Sequence, residues 1–341
     1  MIKTFYALIF LLFSPIICFA EEQSLSDLFE RVKSAVVIVY TVQYDAASDS
    51  NGNLVSLPSL GSGALIDDKG HIITAAHVIQ TADRVRVAFL GDRRFDAKVI
   101  SSNPINDVAL LKIDEIPDDV KPVALADSDK VRIGDRVFLV GAPYGLDNSL
   151  SVGYISSRHE GGIKSNPGII TELFQTDAAI NIGSSGGPMF NMQGKIIGIV
   201  SSLLTKSGGF EGLGFVVTSN AAKEVLFNRR STWTGLDGVL ISGELAKGLN
   251  IPQKHGYLVQ RVASGSPADK IGIEGGKITI HIQGKPLFIG GDVILAVDNV
   301  HVMAENPTAI QDYLESMKLG QEYTVSILRA GIILKLKARV Q

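Results

Sequence analysis

Leu25, Leu28, Phe29 and Val32 fall at i, i+3, i+4 and i+7 with Ser24 just ahead of them, so the spacing predicts a capped amphipathic helix. Behind it, Ala35 to Tyr40 is an apolar run of the length of a buried strand. Short apolar or alternating runs follow: Ala64 to Ile66, His71 to Thr74, Arg84 to Phe89, Phe95 to Ile100, Val108 to Ile113, Val137 to Val140, Leu150 to Ile155, Lys195 to Val200 and Gly214 to Val217. Clusters of Gly, Asn, Asp and Pro separate them, as at Asp45 to Asn53 and Asn103-Pro104-Ile105-Asn106. Many short strands without long helices between them predict a mainly β chain of barrels or sandwiches, not a doubly wound parallel sheet.

The pattern shifts near Ser219. Asn220 to Arg230 reads as a helix, and the polar stretch Asn228 to Thr234 as a boundary. Beyond it lies a unit of about 100 residues, a usual domain size. In its clearest helix Asn306 caps, Pro307 takes the first position, Ile310, Leu314 and Met317 share a face, and Gly320 ends it. Tyr323 to Arg329 and Leu334 to Val340 then alternate around Ala330-Gly331 as a closing hairpin. Gly276 to Gly290, alternating across Ile278, Ile280 and Ile282, reads as a solvated hairpin, with a partner contact surface as the alternative.

The first twenty residues stand apart. Lys3, the apolar run Phe5 to Ile17 broken only by Ser14 and Pro15, and Cys18-Phe19-Ala20 before Glu21 read as a secretory signal peptide cut after Ala20. The run is short for a membrane span of about 20 residues. A lipid anchor on Cys18 is the rival, with Ile17 a poor fit where such sites place a small residue. Three segments result: 1–20, 21–230 and 231–341. Cleavage would remove the single cysteine, leaving core burial to carry stability and excluding a thiolate nucleophile or zinc–thiolate site.

Composition adds exclusions. With 45% hydrophobic and 20% charged residues the 341-residue chain is neither disordered nor collagenous. Lys plus Arg number 32 against 35 Asp plus Glu, so a net charge of −3 gives no electrostatic reason to expect nucleic acid. His71, His159, His255, His281 and His301 show no ligand spacing, and Gly208 to Gly214 lacks a following Lys-Ser/Thr, so neither metal, cofactor nor nucleotide is expected.

The strongest chemical signal is Asp177-Ala-Ala-Ile-Asn-Ile-Gly-Ser-Ser-Gly-Gly-Pro188. A serine nucleophile needs a tight turn and converging backbone N–H groups for the developing oxyanion. Ser185 would attack, and the amides of Gly183 and Ser185 would receive the oxyanion; a Gly-Ser loop without chemistry is the bland alternative. Thr74-Ala-Ala-His77-Val78 ends an apolar strand with a histidine among small residues, and Asn106-Asp107-Val108-Ala109-Leu110-Leu111 sets a carboxylate at the mouth of another. Singly, His77 reads as structural and Asp107 as a turn residue or cap. Together they run His, Asp, Ser, the chain order of a chymotrypsin-type triad.

From about residue 25 onward the sequence resembles the HtrA (DegP/DegQ-type) serine proteases, a trypsin-like double β-barrel followed by a PDZ domain. The three motifs carry the likeness, with Gly61-Ser-Gly-Ala-Leu-Ile66, Val140-Gly-Ala-Pro-Tyr-Gly145 and Gly212-Leu-Gly-Phe-Val-Val-Thr-Ser-Asn220 beside them. The resemblance implies His77 as general base, Asp107 as its orienting partner, Ser185 as nucleophile, and ATP-independent cleavage of unfolded envelope proteins in the periplasm. It also implies a homotrimer, with Leu28, Phe29 and Tyr40 as a candidate contact. Weak or latent proteolysis in a chaperone or peptide sensor is the second reading.

The chain departs from the family at Ser184, where Asn or Asp is usual, and at Ile182, where Pro or Arg is frequent. The Tyr44 to Ser59 loop is short, which argues against control by a long regulatory loop. Ile180 with Leu203 and Leu204 would line a small apolar specificity pocket, unless they are barrel core. Gly235-Leu-Asp-Gly-Val239 stands at the carboxylate-binding loop of the PDZ unit, giving Leu236, Asp237, Gly238 and Val239 as contacts for a peptide C-terminus, with Thr308 to Met317 as the opposite wall.

Overall fold

Ser24 caps the first helix, α1 (Leu25–Val32), its hydroxyl accepting from the Asp27 N–H at 3.1 Å, and Leu28 and Val32 are fully buried beneath it. The computed structural model describes residues 23–48, 54–146, 148–161, 171–203, 209–229, 233–282 and 284–340. The expected signal segment 1–20 and the boundary at 230–231 lie outside the described residues.

The apolar run after α1 becomes β1 (Val36–Ser48), which pairs with β2 (Leu54–Leu65) from Val36↔Ala64 to Asp45↔Val55. Then come β3 (His71–Thr74), the single helical turn α2 (Ala76–Ile79), β4 (Arg84–Phe89), β5 (Arg93–Asp96), β6 (Lys98–Asn103) and β7 (Val108–Lys112). They form a seven-stranded antiparallel sheet in the order β5-β4-β1-β2-β3-β7-β6. The predicted strand Phe95 to Ile100 is two strands, because Ala97 leaves the ladder to donate to the Val85 carbonyl at 3.0 Å.

A second set closes into a barrel, β10-β13-β12-β11-β8-β9. Its strands are β8 (Arg136–Gly141), β9 (Ser149–His159), β10 (Leu173–Thr176), β11 (Pro188–Asn191), β12 (Ile196–Leu203) and β13 (Gly214–Thr218). After β13 the predicted helix is α3 (Ser219–Lys223), capped by Thr218, running into a π-helical turn over Glu224–Asn228. Val225 and Leu226 of that turn join the core of the first sheet. So do Phe138 of β8 and Phe190 of β11, whose rings stack at 5.0 Å. The two halves thus share apolar packing at their junction, while Val137, Leu139, Ile155, Phe174 and Ile180 belong to a separate interior of the closed barrel.

The last unit contains β14 (Leu236–Ser242), α4 (Gly243–Gly248), β15 (His255–Val262), α5 (Pro267–Lys270), β16 (Ile278–Ile282), β17 (Lys285–Ile289), β18 (Val293–Val297), β19 (Val300–His301), α6 (Ala309–Ser316), β20 (Glu322–Arg329) and β21 (Ile332–Arg339). Its sheet runs β14-β15-β18-β20-β21, with β19 on β18 and β14 at the edge. The closing hairpin turns at Ala330 and Gly331, both left-handed, as a two-residue loop between twisted strands requires. Among the described residues β16 and β17 pair only with each other, with Ile278 58% exposed on one face, while Leu287 is buried against Ile241 and Leu258 on the other, so the hairpin is solvated on one side only. The helix near 306 begins later than its sequence signals indicate. Asn306 accepts from the Ala309 N–H in a turn ahead of the helix, leaving Thr308 as the N-cap of α6.

The last unit docks on the first sheet through polar contacts. Trp233 Nε1 donates to the Gln80 carbonyl at 3.0 Å, Arg261 to Gln43 Oε1 at 3.0 Å, and the Ser264 N–H to Asp83 Oδ1 at 2.5 Å. Among the described residues no helix is long and apolar enough to cross a membrane.

The shared aromatic pair generates a prediction. Phe190→Ala should lower unfolding stability by about 3–5 kcal/mol, the usual cost of emptying a buried aromatic site. Calorimetry of the whole chain would read it as a drop in the barrel transition. A loss under about 1 kcal/mol would show that the halves do not depend on this contact.

Candidate active site

At the end of β3, Thr74 and Ala75 are still extended, and the chain then turns into α2, which places His77 in its first turn. Across from it, the turn before β7 is braced by Asn103 Oδ1, which accepts from both the backbone and the side-chain N–H of Asn106. Asp107 follows with φ +52° and is only 4% exposed. A left-handed aspartate is tolerated where its carboxylate finds fixed donors.

It finds several. Both carboxylate oxygens lie 2.9 Å from His77 Nδ1, and Oδ1 also accepts from the His77 backbone N–H at 3.0 Å. Ser201 Oγ donates to Oδ2. The imidazole keeps half its surface open to solvent. Burial of part of the ring opposes its charged form, but the Asp107 charge and hydrogen bond outweigh that and hold the His77 pKa above its ordinary value.

Ser185 sits in a turn between two left-handed glycines, Gly183 at φ +95° and Gly186 at φ +83°. A Cβ on Gly186 would collide with the Ser62 carbonyl and Thr74 Oγ1, so only glycine lets this turn press against β2 and β3. Two carbonyls of the turn are anchored: Tyr144 N–H donates to Ile182 O at 2.8 Å, and Gly187 N–H to Ser184 O at 2.9 Å. In a trans peptide the N–H points opposite the C=O, so the amides of Gly183 and Ser185 face the other way. Among the described residues neither donates to a protein group, whereas the Ser184 N–H is taken by Asn181 O at 2.9 Å. The departure at Ser184 is absorbed locally, its hydroxyl accepting from the Asn181 N–H at 3.4 Å.

Two residues with no role assigned from the sequence hold this assembly together. Ser62, fully buried in β2, donates through its hydroxyl to the Gly183 carbonyl at 2.7 Å, accepts there from the Ala142 N–H at 2.9 Å, and donates its own N–H to the Ser185 carbonyl at 2.7 Å. Ser201 is a buried residue of β12. Its hydroxyl serves Asp107, and its carbonyl accepts from Ser185 Oγ at 3.5 Å. The signal available for both was a serine inside an apolar strand. No hydrogen bond joins Ser185 to His77 among the described residues; the serine hydroxyl rests on Ser201.

The expected specificity pocket needs correction. Ile180 is 2% exposed inside the closed barrel, its side chain filling the space beside Gly214, so it is core. Leu203 pairs with Gly214 at the end of β12, its side chain not among those described, and Leu204 lies outside the described residues. The expected carboxylate-binding loop also differs, since residues from Leu236 onward are already strand, Leu236 pairing with Val262 and Gly235 O accepting from the Ala263 N–H. Leu236, Asp237 and Gly238 line a groove between β14 and α6, whereas Val239 lies outside its lining and is 42% exposed. Burial together with the Asp237 charge pushes up the Tyr257 phenol.

Residues 61–199 match the trypsin-like peptidase domain. The chain is 34% identical over 275 residues to a probable periplasmic serine endoprotease, DegP-like, of Marinomonas sp., covering 79% of this chain and 56% of the relative. It is 31% identical over 290 residues to the periplasmic serine endoprotease DegP of Escherichia coli, covering 83% and 57%. It thus spans somewhat over half the length of these curated relatives. A solved structure of the HtrA-type protease AlgW with a decapeptide superposes with a TM-score of 0.54 at 27% identity, covering 93% of this chain and 98% of that one.

Removing the Ser62 hydroxyl strands a buried carbonyl and a buried amide. Ser62→Ala should therefore cost about 1–3 kcal/mol of stability, read by denaturant unfolding. A cost within about 0.5 kcal/mol of zero would mean that the Ser185 turn is held by other contacts.

Proposed function

This chain carries a trypsin-like peptidase domain homologous to those of DegP, DegQ and the HtrA-type proteases, and from that premise we propose an exported, ATP-independent serine endoprotease acting on unfolded or damaged envelope proteins. The observation that carries the reading is the His77 Nδ1 contact with both oxygens of a buried Asp107. It commits the Nδ1 proton to Asp107 and leaves Nε2 as the basic atom. Catalysis requires the Ser185 side chain to leave Ser201 and present Oγ to Nε2. Attack on a peptide carbonyl then passes the serine proton to His77, with the amides of Gly183 and Ser185 taking the oxyanion. His77 returns that proton to the leaving amine, and water deprotonated by His77 releases the acyl group from Ser185.

The segments 21–230 and 231–341 are proposed as protease and PDZ domains, the second taking extended peptides along β14. The periplasm is the proposed compartment, reached through the leader 1–20, with the protein soluble or membrane-associated there. Assembly as a homotrimer, carried over from the family resemblance, must rest on surfaces other than Leu28, which is wholly buried beneath α1. A second reading, a chaperone or peptide sensor with latent proteolysis, is favoured by the resting bond of Ser185 to Ser201 rather than to His77.

Ser185→Ala should lower casein turnover by roughly 10⁶-fold if the three residues act as a unit. Failure of the unaltered protein to cleave, together with suppression of aggregation by Ser185→Ala, would select the chaperone reading. Turnover should rise with pH as His77 loses its proton, with a midpoint above the ordinary imidazole value of 6.5 because Asp107 favours the protonated ring. Asp107→Asn should move that midpoint down and cut turnover by about 10⁴-fold. A midpoint that stays put would separate Asp107 from the titrating group.

A further inference from the structure

Three segments converge on Gly183, whose amide is the proposed oxyanion donor. A Cβ there would meet the Ala142 carbonyl and the Tyr144 backbone N of the loop between β8 and β9, and the Leu60 side chain of β2. Tyr144 donates its N–H to the Ile182 carbonyl at 2.8 Å, the bond that leaves the Gly183 amide facing the other way. The same bond brings together the backbones of two exposed apolar residues, Tyr144 at 64% and Ile182 at 65% exposure. Contiguous apolar surface left in water marks a place of contact.

Tyr144 holds φ +55°, a left-handed backbone that a bulky residue keeps only where its surroundings enforce it. Here the N–H groups of Gly145 and Leu146 close back on the Ala142 and Pro143 carbonyls, each at 3.0 Å. The turn is thus fixed with an aromatic side chain exposed beside the nucleophile turn. Its side of the site is also defined. Leu60, half-buried against Gly183, leads into Gly61, where a Cβ would collide with Val78 of α2 and with the Ser185 carbonyl. From Gly183 this surface therefore runs toward α2, the turn that carries His77. Since His77 hands its proton to the leaving amine, the polypeptide beyond the scissile bond departs over that side.

We propose that Leu60, Tyr144 and Ile182 form an apolar subsite for the client residues that follow the scissile bond, so that cleavage is directed ahead of apolar side chains. An apolar client side chain and this surface shield each other from water, whereas a charged one gives up solvation against three residues that carry no charge. Ile182 is one of the two positions at which the sequence departs from the family it resembles, so the preference belongs to this chain. The inference rests on the endoprotease reading.

The test is a digest of unfolded casein by the full chain, with every new N-terminus identified by mass spectrometry. Apolar residues should be enriched about three- to tenfold over their share of casein at the first two positions of the fragments, the worth of partly burying one apolar side chain. Ile182→Asp should abolish that enrichment and bring Lys and Arg forward. Tyr144→Asn should weaken it, because asparagine tolerates the left-handed backbone and keeps the turn that aims the Gly183 amide. Even cutting before apolar and charged residues by the unaltered protein, a profile that neither variant moves, or loss of all cutting in both variants would overturn the subsite while the protease reading stands. A change of oligomeric mass in the variants, read by light scattering with the profile unmoved, would overturn it in favour of a contact between copies. No fragments from the unaltered protein would overturn the protease reading, and the subsite with it.

Discussion

A single buried carboxylate organises the site. Asp107 is shut away from water, and an ion there is tolerable only if its oxygens are met by donors on all sides. The donors come from α2, through the His77 backbone and ring, and from β12 of the closed barrel, through Ser201. Satisfying one charge therefore fixes the orientation of the imidazole and ties the two halves of the peptidase region at the point where their chemistry meets. The same Ser201 receives the Ser185 hydroxyl on its backbone carbonyl, so one residue of β12 touches both the carboxylate and the resting serine.

Much of this was legible in the chain. The apolar period of α1, the alternation of β20 and β21 around Ala330-Gly331, and the small residues around His77 and Ser185 are local signals, and local signals survive folding. β10 and β11 are four residues each, too short and too mixed in character to show a period. Ser62 and Ser201 escaped for a different reason. Their partners lie far along the chain, Ser62 with Gly183 and Ser201 with Asp107, and no spacing rule links residues joined only by topology. Ile180 misled because hydrophobicity is the same signal whether a side chain lines a pocket or fills a core, and only the closure of the second barrel decides.

The unit after residue 233 is linked to the rest by amides, an indole N–H and a guanidinium, all donating to Gln43, Gln80, Asp83 or Leu236. Contacts of this type exchange readily for water or for another polar chain, unlike the apolar junction that joins the first sheet to the closed barrel. The molecule thus combines one joint closed by a continuous apolar core with another that is largely polar apart from Trp233, which packs against the first sheet's core.

That difference bears on what reaches the serine. Since Phe138 and Phe190 carry one apolar interior across both halves, prising the halves apart would wet that surface, and the space between His77 on one side and Ser185 on the other keeps a set width. On the proposed endoprotease reading, a client must therefore fit the site as the core has set it, and a single extended strand does so where a compact globule would not.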